Sequence, residues 1–315
     1  MVDPFPQKPD VSLQNALDKQ QKFNPKSAGK NMFPDDVSKA RLDNYSYYLR
    51  LFKGEHFDAF NIKIDDPIYS REYSKLRYVT TNFAGLISKI LADMLFSEAP
   101  IIKTEDGDQE FLEALWQENK MDIQCYESAL SNSVMGDAVF KIRVGKRCAT
   151  DKDSTVIIED ITPNVYFPKL DPFNVRAEPQ NQQLAWVFEQ GDKKYLRTET
   201  HTEGLITNAV HLLENGEIKE EVELGILGMP DLKPKEETGI EKSLIIHIPN
   251  WKIGGQYFGT SDYNDLDSLF YAINNRMTKV DNILDKHGDP ILVVPDGVLD
   301  EKGKVNKAAL GVIAL

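Results

Sequence analysis

Glu199, His201 and Glu203 stand two residues apart in a run rich in strand-forming types. In extended backbone that spacing puts all three on one face. An imidazole between two carboxylates can hold a divalent metal or move a proton, so these residues define one reading of the chain, a small metal-dependent or acid-base enzyme. The interleaved Thr198, Thr200 and Thr202 support a plainer one, a strand polar on both faces at the rim of a sheet.

Other constellations carry less. Asp106 and Asp108 flank Gly107 as in calcium loops, but the remaining ligands at EF-hand spacing are missing, which leaves an exposed turn. Gly254, Gly255 and Gly259 do not match a phosphate-binding fingerprint and read as a flexible joint. Lys141, Arg143, Lys146, Arg147 and Lys152 form the one local basic cluster, suited to phosphate or to a neighbouring subunit's acidic surface, with a solvated strand end as the default. Tyr45, Tyr47 and Tyr48 could stack on bases, although packing is commoner for tyrosines on a helix. No phosphate-binding loop, nucleophile elbow or zinc-protease motif is present, so no catalytic residue, cofactor or metal is expected.

Composition narrows the classes further. A formal charge of −13 disfavours a protein that grips nucleic acid over its whole surface, since phosphate binding depends on lysine and arginine displacing counterions. It suits a conduit, whose acidic wall would let DNA slide. A generic nucleic-acid-binding module therefore stands as an alternative only. Cys125 and Cys148 offer neither a disulfide framework nor metal spacing, which fits a reducing compartment. No window approaches the ~18 consecutive apolar residues of a membrane span, and the N-terminus carries no leader pattern, so no membrane role is expected.

The elements that would position these groups give an α+β chain. Residues 1–35 read as an arm, 36–136 as mainly helical, and 137–249 as short antiparallel strands in a sheet or small barrel. GDKK at 191–194 and ENGE at 214–217 read as hairpin turns, the second with the Asn-Gly pair of a type I′ turn. The run from Phe83 to Leu95 presents a wide apolar core face. A helix of about 26 residues is expected over 262–287, capped by Ser261 or Asp262 and ended by Gly288 and Pro290. Its seam of Leu266, Phe270, Ile273, Met277, Val280 and Leu284 steps by four and three and asks for a partner helix.

Taken in order, YYLRLFKGEH, NFAGLISKILADMLFSEAPII, SNSVMGDAVFKIR and the span from IPNW through YFGTSDYNDLDSLFYAINNRMTKVDNILDKHGDPILVVPDG resemble tailed-bacteriophage portal proteins, the head-to-tail connectors, of siphophages of Gram-positive hosts. The resemblance covers most of residues 37–300. It implies a wing of helices and a β-barrel over 36–258, a stem helix over 259–289 and the start of a mixed α/β clip over 290–315. It also implies a homo-oligomeric ring, usually of twelve, at the portal vertex of the virion, assembled in the host cytoplasm. Double-stranded DNA would pass through that ring, driven by the terminase large subunit, with capsid, scaffold and head-completion or adaptor proteins as further partners. On this reading the seam packs subunits together, Ile291, Leu292, Val293 and Val294 in the clip dock partners, and Lys141, Arg143, Lys146 and Arg147 touch phosphate or a neighbour. The returning stem helix, tunnel loop and crown of such proteins would lie beyond Leu315, so the chain is expected to be a fragment or the product of a truncated prophage gene.

Overall fold

The computed structural model describes residues 32–62, 77–105, 107–147, 153–171, 173–174, 177–228 and 232–288. Among the described residues, five α-helices come first: α1 (Asp36–Phe52), α2 (His56–Ala59), α3 (Phe83–Phe96), α4 (Gln109–Glu118) and α5 (Met121–Met135). Asp35 caps α1 by accepting from the Ser38 N–H at 2.7 Å, and Asp108 caps α4 by accepting from Phe111 at 3.0 Å. Asp108, half of the calcium-like pair, is thus spent on a helix start. At the end of α5, Gly136 takes φ +87, a conformation that side-chain-bearing residues rarely adopt.

The chain then runs into β1 (Asp137–Gly145), β2 (Thr155–Ile161), β3 (Tyr166–Lys169), β4 (Asn181–Gln190), β5 (Lys193–Thr202), β6 (Leu205–Glu214), β7 (Glu217–Val222), β8 (Lys235–Glu237) and β9 (Ile245–Pro249). They form two antiparallel sheets, one of order β2-β1-β9 and one of order β3-β4-β5-β6-β7 with β8 also paired to β6. Neither closes into a barrel, which corrects the barrel expectation. Three of the large sheet's connections are two-residue hairpins. Gln190 pairs with Lys193 around Gly191 and Asp192, and Glu214 pairs with Glu217 around Asn215 and Gly216, both of which have positive φ as a type I′ turn requires. The third joins Thr202 to Leu205 through Glu203 and Gly204.

Helix α3 packs the other way round from its hydrophobic pattern. Its buried residues are Ala84, Gly85, Ser88 and Ala92, while Phe83, Leu86, Ile90, Leu91, Met94 and Leu95 are exposed. Close approach explains the inversion: a Cβ on Gly85 would lie 3.0 Å from the Phe52 carbonyl oxygen, so only small residues fit against the neighbouring helix. Most of the large side chains are left outside, Ile87 being the one that packs against the core.

The last described element, α6 (Asp267–Gly288), is 22 residues long and starts five residues later than expected from its capping signals. Ser261 and Asp262 do not cap it. The Ser261 hydroxyl and the Asp262 N–H both donate to the Ser133 carbonyl, at 3.2 and 3.0 Å, and thereby tie the entry of α6 to α5. Phe270 is 2% exposed and joins a core of Tyr45, Leu51, Phe60, Val134 and Tyr263, with Leu266 packed against it.

Candidate functional site

The pair Glu199 and His201 is brought together and buried between the two sheets, but not as a metal site. The His201 Nε2–H donates to Glu199 Oε1 at 2.7 Å, and Lys141 from β1 reaches the same carboxylate at 2.6 Å. Glu203 sits in the β5–β6 hairpin loop, exposed and off the strand, because Glu-Gly is a turn signal that overrides the alternation. Among the described residues no group of three or more His, Cys, Asp or Glu side chains could hold a metal ion. The rim reading is corrected as well, since β5 is an inner strand flanked by β4 and β6.

The cluster is an electrostatic tie between sheets. Burial alone would raise the Glu199 pKa, but the His201 hydrogen bond and the Lys141 ammonium outweigh it and bring the carboxyl down from 4.5 to about 2. A depressed folded-state pKa contributes stability that is complete above the unfolded value and is lost as pH falls toward the folded one. Stability measured by urea unfolding should therefore decline as pH falls from about 4.5 to about 2. In Glu199→Gln that part of the acid dependence should vanish, with about 3 kcal/mol lost at neutral pH because Lys141 is left buried and unpaired. An unchanged acid limb would contradict this assignment.

The basic cluster is dispersed rather than pooled. Lys141 is spent on Glu199, Arg143 makes a two-pronged bond to Glu159 at 2.7–3.1 Å, and Arg147 donates to the Glu118 carbonyl at 2.6 Å. Lys146 is exposed at the end of β1, whereas Lys152 lies outside the described residues. So do the clip positions Ile291, Leu292, Val293 and Val294.

A buried junction outside the spacing patterns is the carboxylate of Asp137 at the start of β1. It is 0% exposed and accepts from the Tyr45 hydroxyl at 2.5 Å, the His247 Nε2–H at 2.7 Å and the Gly259 N–H at 2.9 Å. Those donors come from α1, β9 and the link into α6. Burial, then the Asp137 charge, push the Tyr45 hydroxyl well above its ordinary pKa, so it stays a donor. Arg41 caps the network, donating to the Tyr166 carbonyl at 2.7 Å and lying 4.3 Å over the Phe258 ring. With Asp137 and Tyr45 buried and the His247 side chain nearly so, the three groups bind elements together. The available signal was a charged residue directly between an apolar helix and an apolar strand, in VMGDAVF.

Gly259 belongs to this joint and is not a flexible link. A Cβ there would fall 2.0 Å from the Gly136 carbonyl oxygen and 2.6 Å from the Asn250 nitrogen, so two backbone segments cross with room for hydrogen alone. Gly254 and Gly255, with nothing within 4 Å of a Cβ, have no such crossing.

Beyond the joint, hydrogen bonds and an ion pair among the described residues fasten α6 along one side. Tyr48 donates to Asn264 at 3.1 Å, the Thr81 N–H to Asn274 at 2.8 Å, the Val79 N–H to Thr278 at 3.0 Å, and Arg77 pairs with Asp285 at 2.9 Å. Buried His56 reads Asn274 from the other direction: its Nε2–H donates to the Leu51 carbonyl, so Nδ1 accepts from the Asn274 amide at 2.7 Å. Positions 270, 274, 278 and 285 thus face the rest of the chain. The expected seam divides accordingly: Leu266 and Phe270 turn inward, Ile273 is half-buried, and Met277, Val280 and Leu284 are exposed, Leu284 at 64%.

An acidic chain whose last described helix is tied down along one side and apolar along another has the form of a subunit in an assembly. The family model for phage portal proteins, SPP1 Gp6-like, matches residues 35–308. The chain belongs to that family. It is a phage portal protein subunit and so a virion component, and its family is structural, working as oligomeric rings associated with capsid and terminase. No curated protein matches the chain. No helix among the described residues is long and apolar enough to cross a membrane.

Proposed function

We propose that this portal subunit enters its ring through the outward stripe of α6, with Ile273, Met277, Val280 and Leu284 packing on neighbouring copies. The observation that carries this is the row of exposed apolar side chains on a helix held along an adjacent side by Asn274, Thr278 and Asp285. Exposed contiguous apolar surface of this kind marks contact sites. The Asp137 joint and the Gly136–Gly259 crossing set the angle at which α6 leaves the sheets, which in a ring becomes the geometry shared by every subunit.

The closed ring encircles double-stranded DNA, and the chain's acidic balance disfavours sticking as DNA is driven through by the terminase large subunit. The segment from Ile291 to Val294 docks terminase or head-completion and adaptor proteins, while capsid and scaffold proteins meet the outer surface during assembly in the host cytoplasm. Lys146 and Arg147, at the end of β1, touch phosphate or the adjacent subunit. Multi-angle light scattering on the purified chain tests the assembly step. The expected mass is many multiples of 35.7 kDa, and a monomer at every concentration up to that of a concentrated stock would contradict it.

A further inference from the structure

The large sheet ends on β7, and one rung is already laid along its outer edge. Met32 bridges Glu217 in the antiparallel sense, and the Phe33 N–H donates to the Gly216 carbonyl at 2.8 Å. Among the described residues nothing else pairs on that side of β7. The bond joins residues that flank the Met32–Glu217 pair, so the next donor along this edge is the Ile218 N–H. An edge left with free N–H and C=O groups is a template for pairing with another chain.

Charge selects what covers it. Residues 214–223, ENGEIKEEVE, hold five glutamates and one lysine, and Glu214, Glu220, Glu221 and Glu223 are exposed. The same edge from a second copy would set these carboxylates against one another. Residues 1–31 lie outside the described structure, but the sequence leading into Met32 has the opposite sign. Residues 19–31 carry Lys19, Lys22, Lys26 and Lys30 and no carboxylate.

We infer that residues 26–31 continue this rung as an antiparallel strand along β7 of their own subunit. The register of Met32 on Glu217 then sets Asn31 opposite Ile218 and Lys30 opposite Lys219, and carries Lys26 toward the Glu220–Glu223 end of the edge. Lys219 is already engaged by Glu217 at 2.8 Å. Lys30 lies diagonally across from Glu217 and Glu221, a separation that a long side chain spans. Pro25, with no N–H to give the ladder, marks where the strand ends. The arm thus caps an acidic edge with a basic strand and withholds that edge from other sheets.

Disulfide trapping on the full chain tests it, in a background carrying Cys125→Ser and Cys148→Ser. Lys30→Cys with Lys219→Cys, and Ala28→Cys with Glu221→Cys, place sulfurs opposite each other on either side of the register shift between β6 and β7. Gln20→Cys with Lys219→Cys controls for chance collision of a tethered arm. The expected result is loss of both free thiols within the monomer band of a non-reducing gel for at least one of the first two pairs, with the control pair largely unreacted. Bridges in a dimer band would assign the arm to a neighbouring copy and overturn the own-subunit strand. Equal closure by the control pair, or free thiols in all three variants, would overturn it as well. Amide exchange on the unaltered chain gives an independent reading: the Ile218 N–H should be protected, and removal of residues 1–31 should return it to the fast exchange of a free edge. A fast Ile218 N–H in the full chain would contradict the added strand.

Discussion

Replacing Asp137 with alanine is expected to cost about 3–5 kcal/mol of folding stability, a large share of what a single domain has. Three donors converge on this buried carboxylate, Tyr45, His247 and the Gly259 N–H, and alanine leaves all three without an acceptor. Each orphaned buried donor costs on the order of 1–3 kcal/mol, less whatever water entering the gap recovers. Tyr45→Phe removes one donor and keeps the acceptor, so its cost should be nearer 1 kcal/mol. Urea unfolding of the two variants and the parent provides the comparison. An Asp137→Ala loss below that of Tyr45→Phe would show that the carboxylate does not hold the joint.

The joint matters beyond stability because it is where the sheets hand the chain over to α6. Gly259 donates to Asp137, Gly136 accepts from Asn250, and Ser133 accepts from both Ser261 and Asp262. Four hydrogen bonds and a glycine crossing thus converge on one short stretch of backbone. Flexibility at this point would blur the direction of α6, and a ring requires each copy to project it alike.

Local punctuation in the sequence was dependable wherever the signal and the structure share a cause. Asn215-Gly216 marked its hairpin because few other pairs accept positive φ twice. Readings failed where tertiary contact decided. The apolar residues of α3 were expected inside, yet close packing at Gly85 selected the small face for burial. Gly259 resembled a hinge because glycine permits both freedom and contact, and only its distance from Gly136 tells them apart. Glu199 and His201 were legible as a same-face pair, but their partner, Lys141, lies 58 residues away on another sheet, beyond any local pattern. Asp137 was missed for the same reason: its donors are 92, 110 and 122 residues distant.

The second large effect concerns assembly. Met277 and Leu284 project from α6 at 43% and 64% exposure, away from the side that Asn274 and Thr278 hold. Met277→Glu with Leu284→Glu should leave the fold intact, because charges at exposed positions meet water and not the core. In an assembled ring the same two carboxylates would be buried in every contact without a partner, at a cost of several kcal/mol per interface. Repeated around a ring, that penalty is sufficient to abolish assembly. Sedimentation velocity of the parent chain beside this double variant, with matched unfolding curves as the control, is the most direct measurement. The portal-ring account predicts a large assembly for the parent and a folded monomer for the variant; an equally large assembly from both, or a folded monomer from both, would contradict it.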